Sequence, residues 1–517
     1  MKKCIALLLA LLLVGLCGCT SWDEADYIND PLSELQQYYQ PQEEDDPALT
    51  AFVLPYRSNE TADPITCRDG MQLTLSALLY EPLYRLTPDF KPEAVLALRD
   101  SYDPVSFTYT VTLRGGLHFS DGSIVTAQDV AATLLRARQS PRYAARLADV
   151  TDIRAVDSAT VQIHLAQDRQ GFAALLDIPI VKAGTESAAF PTGSGPYVKA
   201  ADSSTLLPNT YWQGVGTLPF QEIWLLACKS EEAAAYAFSS HDVHLLACDL
   251  TGTAGDVAST SGSSTDADTT IFQFLGFNMN RRLFQDEAMR LAVGMAVDRS
   301  AIVSAYLVGH GAATQFPVHP ASSLYPTALE QAYTADDCAA AMAELDMADG
   351  KDIYHLTLLV NSENSFKVAA AQEIAQSLSQ YDLDVTVNAL PWEAYLSALE
   401  DGRFDLYYGE CKLTADWDVS PLLATGGSLN YGGWADPTTD TQLAACRSAD
   451  DTHRAAAMEA LCGRLQAQMP IVPICFKRTS VLLPYDAVEG VTPTAADPFY
   501  GLAHWVVHWA DEKTPES

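Results

Sequence analysis

Polar and apolar positions alternate along Phe107–Leu113. Phe107, Tyr109, Val111 and Leu113 fall on one side, and Thr108, Thr110 and Thr112 on the other. A period of two sets one face against a core and the other toward water, which predicts a half-buried strand. Val161, Ile163 and Leu165 repeat the pattern. Between these strands, Asp121-Gly122 reads as a turn. Thr126 stands where an N-cap belongs, ahead of a helical face made by Val130, Leu134 and Ala137. The stretch from about 80 to 185 is therefore expected to form a subdomain.

Further on, residues 251–268 read as a loop from their Ser, Thr, Asp and Gly content. An apolar strand, Ile271 to Phe277, follows. Ala288, Leu291, Ala292, Met295 and Ala296 keep helical spacing, and Asp298 is placed to cap a second helix that stops at Gly309. From 353 onward, strands at 353–360, 383–389 and 404–409 alternate with helices near 365–380 and 392–400. That order implies βαβ units and a parallel sheet.

The amino terminus has a different character. Lys2 and Lys3 precede an apolar run from Ile5 to Leu16, which ends in Leu16-Cys17-Gly18-Cys19. The run is too short to span a bilayer comfortably and has the make-up of a secretory signal. Its last four residues resemble a bacterial lipobox, which makes Cys19 the expected lipidation site. Residues 20–48, rich in Asp, Glu, Gln and Tyr, read as a solvated tether. The expected location is extracytoplasmic, on the outer face of the cell membrane through lipid alone.

The formal charge of −35 argues against a nucleic acid partner, whose phosphates attract Lys and Arg. Most of that acidity is a solvated, mutually repelling surface. Eight cysteines follow Cys19, and none forms a C-x-x-C pair that would suggest a zinc ribbon or a redox motif. Several stand in apolar runs, where buried free thiols are expected, while an even number outside the cytoplasm also permits disulfides that sequence alone does not pair. Gly193-Ser194-Gly195 falls short of a nucleophile elbow. His241 with His244, and His504 with His508, lack the zinc-binding His-Glu-x-x-His pattern. No phosphate-cradling loop is present, so the chain supplies no ATPase. No catalytic group, metal or cofactor is expected.

Several blocks, in order, resemble the family 5 extracellular solute-binding proteins, the peptide and nickel class of ABC importers. They are Leu79-Tyr80-Glu81-Pro82-Leu83-Tyr84-Arg85-Leu86, the run from Tyr109 to Gly122, Thr126-Ala127-Gln128-Asp129-Val130, Gly193-Ser194-Gly195-Pro196-Tyr197, Leu275-Gly276-Phe277-Asn278, Arg290 to Arg299, and Met469-Pro470-Ile471-Val472-Pro473. The resemblance implies an α/β, two-lobe periplasmic-binding-protein architecture (type II, Venus-flytrap) with an extra subdomain in lobe one. Mapped onto this chain, 1–18 is the signal peptide and 19–48 the lipidated cysteine and tether. Lobe one takes 49–270 and is completed by 480–510, and lobe two takes 271–479.

The function implied is capture of peptides between the lobes by a monomer, and delivery to a permease with its own ATPase subunits. A nickel chelate, an opine or a sugar is the alternative cargo on the same fold, and a secreted hydrolase the alternative of another class. In the family's peptide binders an Asp holds the ligand ammonium. Asp416, in Thr414-Ala415-Asp416-Trp417-Asp418, occupies that position, with Trp417 and Asp418 beside it. Tyr143 matches a Tyr that also reaches the ligand amine, Asn278 belongs to a shared block, and Tyr431 and Trp434 resemble a loop walling the pocket. No Arg for a peptide carboxylate can be singled out from the sequence.

Overall fold

The computed structural model describes residues 49–201, 203–252, 262–345, 353–381 and 383–510. The signal, Cys19 and the tether lie outside the described residues.

Near its start the chain forms Phe52–Tyr56, which pairs in parallel with Ile223–Ala227. Thr205–Pro208 and Tyr197–Lys199 complete a four-stranded sheet. The helix Gly70–Leu79 packs beside it, started by Asp69, whose carboxylate accepts the Gln72 N–H at 3.1 Å. Gly193 and Gly195 pass so close to this helix that a Cβ would come within 2.1 Å of the Leu79 carbonyl oxygen and 2.5 Å of the Leu78 carbonyl oxygen. Glycine is the residue that permits this approach, which gives the Gly-Ser-Gly block a structural reason.

Residues 97–165 supply a separate antiparallel sheet in the order Ala97–Asp103, Thr108–Leu113, Thr160–Leu165, Val150–Ala155. The alternation in the sequence appears as alternation of burial: Tyr109, Val111, Val161 and Ile163 are all at most 2% exposed. The helix Ala127–Ala137 covers this face. Asp129 closes its capping box by accepting both the Thr126 N–H (2.9 Å) and its hydroxyl (2.6 Å).

A seven-stranded sheet forms the other lobe. Tyr354–Asn361 runs parallel to both Leu383–Leu390 and Leu406–Lys412, as βαβ units require. The helices Ser365–Ser379 and Trp392–Glu400 make the crossovers. Apolar cores lie on both faces of this sheet.

Two long antiparallel strands, Ser263–Phe277 and Ile471–Leu483, connect the lobes. Val481 and Leu483 belong to the core of the first lobe, whereas Val472, Ile474 and Cys475 belong to that of the second. Their ladder is interrupted between Asp268 and Phe272. There Thr269 donates its hydroxyl to the Lys477 carbonyl oxygen at 2.7 Å and accepts the Ile271 N–H at 3.0 Å. Such an irregularity bends a strand pair where it passes between bodies.

The expected loop at 251–268 is corrected in part: the strand begins at Ser263. Its polar residues carry no apolar signal of their own. They become strand by pairing with Arg478–Leu483, which is tertiary context overriding local composition. The eight cysteines after the tether are free thiols. Among the described residues no helix is long and apolar enough to cross a membrane, and no cluster of three metal-ligating side chains occurs.

Candidate ligand-binding cleft

A cavity of about 550 Å³ lies between the lobes. The first lobe contributes Thr74 of its first helix, the turn Thr87–Phe90, and Arg142, Tyr143, Arg146 and Asp177. The second contributes Lys412, Leu413 and Ala415, and the irregular strand segment Asp268–Ile271 forms the back. A larger depression of about 690 Å³ is walled by the first lobe and the returning segment 490–504. It shares Ser76, Leu86, Asp177, Pro179 and Ala496 with the cleft, so the two spaces adjoin. Although smaller, the inter-lobe cavity is the candidate site, because only there do groups from both lobes face one ligand. Its size suits a small molecule or short peptide.

One corner of this cleft is cationic. The Arg142 and Arg146 guanidinium carbons stand 5.8 and 5.4 Å from the Tyr143 ring centroid. Arg146 is paired with the buried Asp177 carboxylate. Among the described residues Lys412 makes no ion pair within 4 Å. Its ammonium is pushed down to about 8, first by removal from bulk water and then by repulsion from Arg146 and Arg142, while Asp177 acts in the opposite direction. Three cations against one carboxylate leave a net positive corner in a chain whose formal charge is −35. Of the acids elsewhere on the wall, Asp249 pairs with Lys477 and Asp268 with Arg478 at 2.7 Å, and Glu231 lines the first-lobe side.

Of the expected binding residues, Tyr143 lines the cavity; it is 5% exposed, and burial pushes its hydroxyl up. Asp416, Trp417 and Asp418 stand together behind the cleft wall, next to Ala415. Asp416 Oδ2 accepts from Arg169 Nη2 at 2.6 Å and Nε at 3.0 Å, and Oδ1 accepts the Thr414 hydroxyl at 2.6 Å. Burial, the largest single influence, pushes its carboxyl up, but Arg169, the Thr414 hydroxyl and Arg454 together outweigh this and hold it below the ordinary value. Trp417 is 1% exposed and donates its indole N–H to Ser322 at 3.1 Å. Asp418 lies 3.2 Å from Arg169 Nη1. Asn278 is buried and structural in its contacts: its amide donates to the carbonyl oxygens of Phe404 (2.9 Å) and Gly402 (3.2 Å). Tyr431 packs against Tyr407, and Trp434 lies under the Arg290 guanidinium, both outside the cleft lining.

The model for the bacterial extracellular solute-binding proteins, family 5 (middle region) matches residues 91–430. The chain belongs to this family. The glutathione-binding protein GsiB of Salmonella choleraesuis is 25% identical over 442 residues, spanning 78% of this chain and 85% of the relative. That of Escherichia coli K12 is 24% identical over 395 residues, spanning 71% and 76%. Among solved structures, the unliganded open form of the periplasmic murein tripeptide-binding protein MppA superposes with a TM-score of 0.74 at 19% identity, covering 89% of this chain and 98% of that one. A nickel ABC transporter protein from Bacillus halodurans gives 0.73 at 18% identity, covering 87% and 98%. These structural likenesses show the fold, a two-lobe α/β binding protein.

Several blocks that carry the family resemblance hold this solute-binding protein's framework together. Arg290 is 3% exposed and donates to the Gln468, Met469 and Phe284 carbonyl oxygens, closing the end of the helix Arg454–Gln468. Arg299 donates to the Pro473 carbonyl oxygen at 2.8 Å. The cationic corner was missed by sequence reasoning. Arg142 and Arg146 stand four residues apart around Tyr143, a visible signal, but Lys412 joins them only through the fold.

Proposed function

We propose that this protein captures peptides between its lobes outside the cytoplasm, tethered through a lipid on Cys19, and hands them to the permease of an ABC importer. The observation that carries the cargo class is the cationic corner of the cleft. A peptide's terminal carboxylate against Arg142 and Lys412 makes charge-assisted hydrogen bonds where water is largely displaced, on the order of 1.5–3 kcal/mol each. The irregular back strand adds backbone groups that an extended ligand can pair with. Tyr143 lends an aromatic wall. The chemistry is binding and lobe closure about the two connecting strands, with no covalent step. Relatives include glutathione- and murein tripeptide-binding proteins, which supports a small peptide bearing carboxylates as cargo.

A second reading keeps the site and changes the cargo to a carboxylate-bearing nickel chelate, which the same cations would hold. A nickel transporter protein and a protein holding Ni(L-His) are among the structural relatives. Native mass spectrometry of protein purified without denaturation separates the readings. Co-purified peptide masses support the first and a nickel-containing adduct the second. Cleaved products on incubation with a peptide mixture would overturn both in favour of a hydrolase.

A further inference from the structure

The loop after the strand Thr160–Leu165 reaches out of the first lobe and delivers Arg169 to the second. Its guanidinium is 8% exposed and serves three carboxylates: Asp416 through two nitrogens (2.6 and 3.0 Å), Asp149 at 2.6 Å and Asp418 at 3.2 Å. The neighbouring residues hold the loop in place. Gln170 donates its backbone N–H to the Arg447 carbonyl oxygen at 2.8 Å and its side-chain amide to that of Ser448 at 2.9 Å. Gly171 has φ +70°, and a Cβ there would lie 1.7 Å from an Arg454 guanidinium nitrogen. This is a docking loop with many fixed contacts, and Arg169 is its payload.

The consequence concerns the ligand. Asp416 follows Ala415, which lines the cleft. Both oxygens of Asp416 are already used, by Arg169 and Thr414. A ligand ammonium arriving at Asp416 would have to displace the guanidinium from Oδ2 or share the carboxylate with that cation through the lone pair left on Oδ1. Stripping a buried cation of a well-placed carboxylate is strongly unfavourable.

We propose that Arg169 is a specificity-determining residue: by supplying from the protein the cation that Asp416 and Asp418 face, it removes the need for a ligand ammonium. The cleft then reads its cargo through the anionic end and accepts peptides whose amino terminus is blocked. The proposal rests on the peptide reading above. Arg169 acts through Asp416, so the diagnostic quantity is selectivity rather than affinity alone.

The test uses one equimolar pool of tripeptides in free and N-acetylated form, read as occupancy by native mass spectrometry. For the wild-type protein the two forms should bind within about threefold of each other. Arg169→Met should shift the preference toward the free amine by about tenfold or more, because Asp416 is then uncompensated. Arg169→Lys should restore near-indifference. A wild-type preference for the free amine of about tenfold overturns the proposal while leaving the peptide reading intact. So does an Arg169→Met protein that weakens both forms equally, which is what a purely structural role would give. Should Arg169→Met fail to fold, the wild-type ratio decides. Binding of neither form removes the peptide reading, and this proposal with it.

Discussion

Lys412 gives the account a pH signature. Its ammonium titrates near 8 in the free protein, against an ordinary 10.5, because it is withdrawn from bulk water beside two guanidinium groups. A ligand carboxylate placed there raises that value again, so binding takes up a proton. The sign follows. Affinity is fully present below the free-state value near 8 and is lost as pH rises through it toward the liganded value. A full return to the ordinary range weakens binding by about tenfold between pH 7 and pH 9.

The neighbouring Tyr143 hydroxyl does not mimic this effect, because burial pushes it up and keeps it protonated through this range. The assay is calorimetry from pH 7 to 9.5 with an N-acetylated peptide, whose missing amine cannot titrate. Two buffers of different ionisation enthalpy report the proton uptake directly. Lys412→Met should bind more weakly at pH 7 and show a flat profile. A flat wild-type profile, or the same slope in Lys412→Met, would refute the reasoning.

Three other outcomes are expected. Cys19→Ser should abolish incorporation of labelled fatty acid, and continued labelling would remove the lipid anchor. Asn278→Ala should lower stability by about 2 kcal/mol in denaturant unfolding, since it strips the buried Phe404 and half-buried Gly402 carbonyl oxygens of their donor, while leaving ligand affinity unchanged. Gly171→Ala forces an L side chain into φ +70° against Arg454 and should cost about 1–3 kcal/mol; an unchanged melting profile would show that the docking loop yields freely.

Much of the framework could be read from local pattern. The alternation at Thr108–Leu113, the capping box at Thr126 and Asp129, and the βαβ order after 353 each use interactions within a few residues, which sequence records directly. The strand at Ser263–Asp268 could not be read so, because its polar residues are ordered by partners more than two hundred positions away. The site shares that difficulty. Arg169 meets Asp416 across 247 residues, and nothing near either residue announces the pairing. The same holds for Lys412 beside Arg142 and Arg146. The family resemblance singled out Asp416 and Tyr143, of which Tyr143 lines the cleft and Asp416 stands behind its wall. The charges that surround them in this chain come from its own fold.

The central claim is that cargo is held between the lobes by its anionic end, and a thermodynamic cycle tests it most directly. A peptide from the bound pool is compared with its carboxy-terminal amide, on the wild-type protein and on the Arg142→Met/Lys412→Met double variant. The account predicts that amidation costs the wild-type protein about tenfold or more in Kd and costs the double variant almost nothing. An equal loss on both proteins, or none on the wild type, would contradict it.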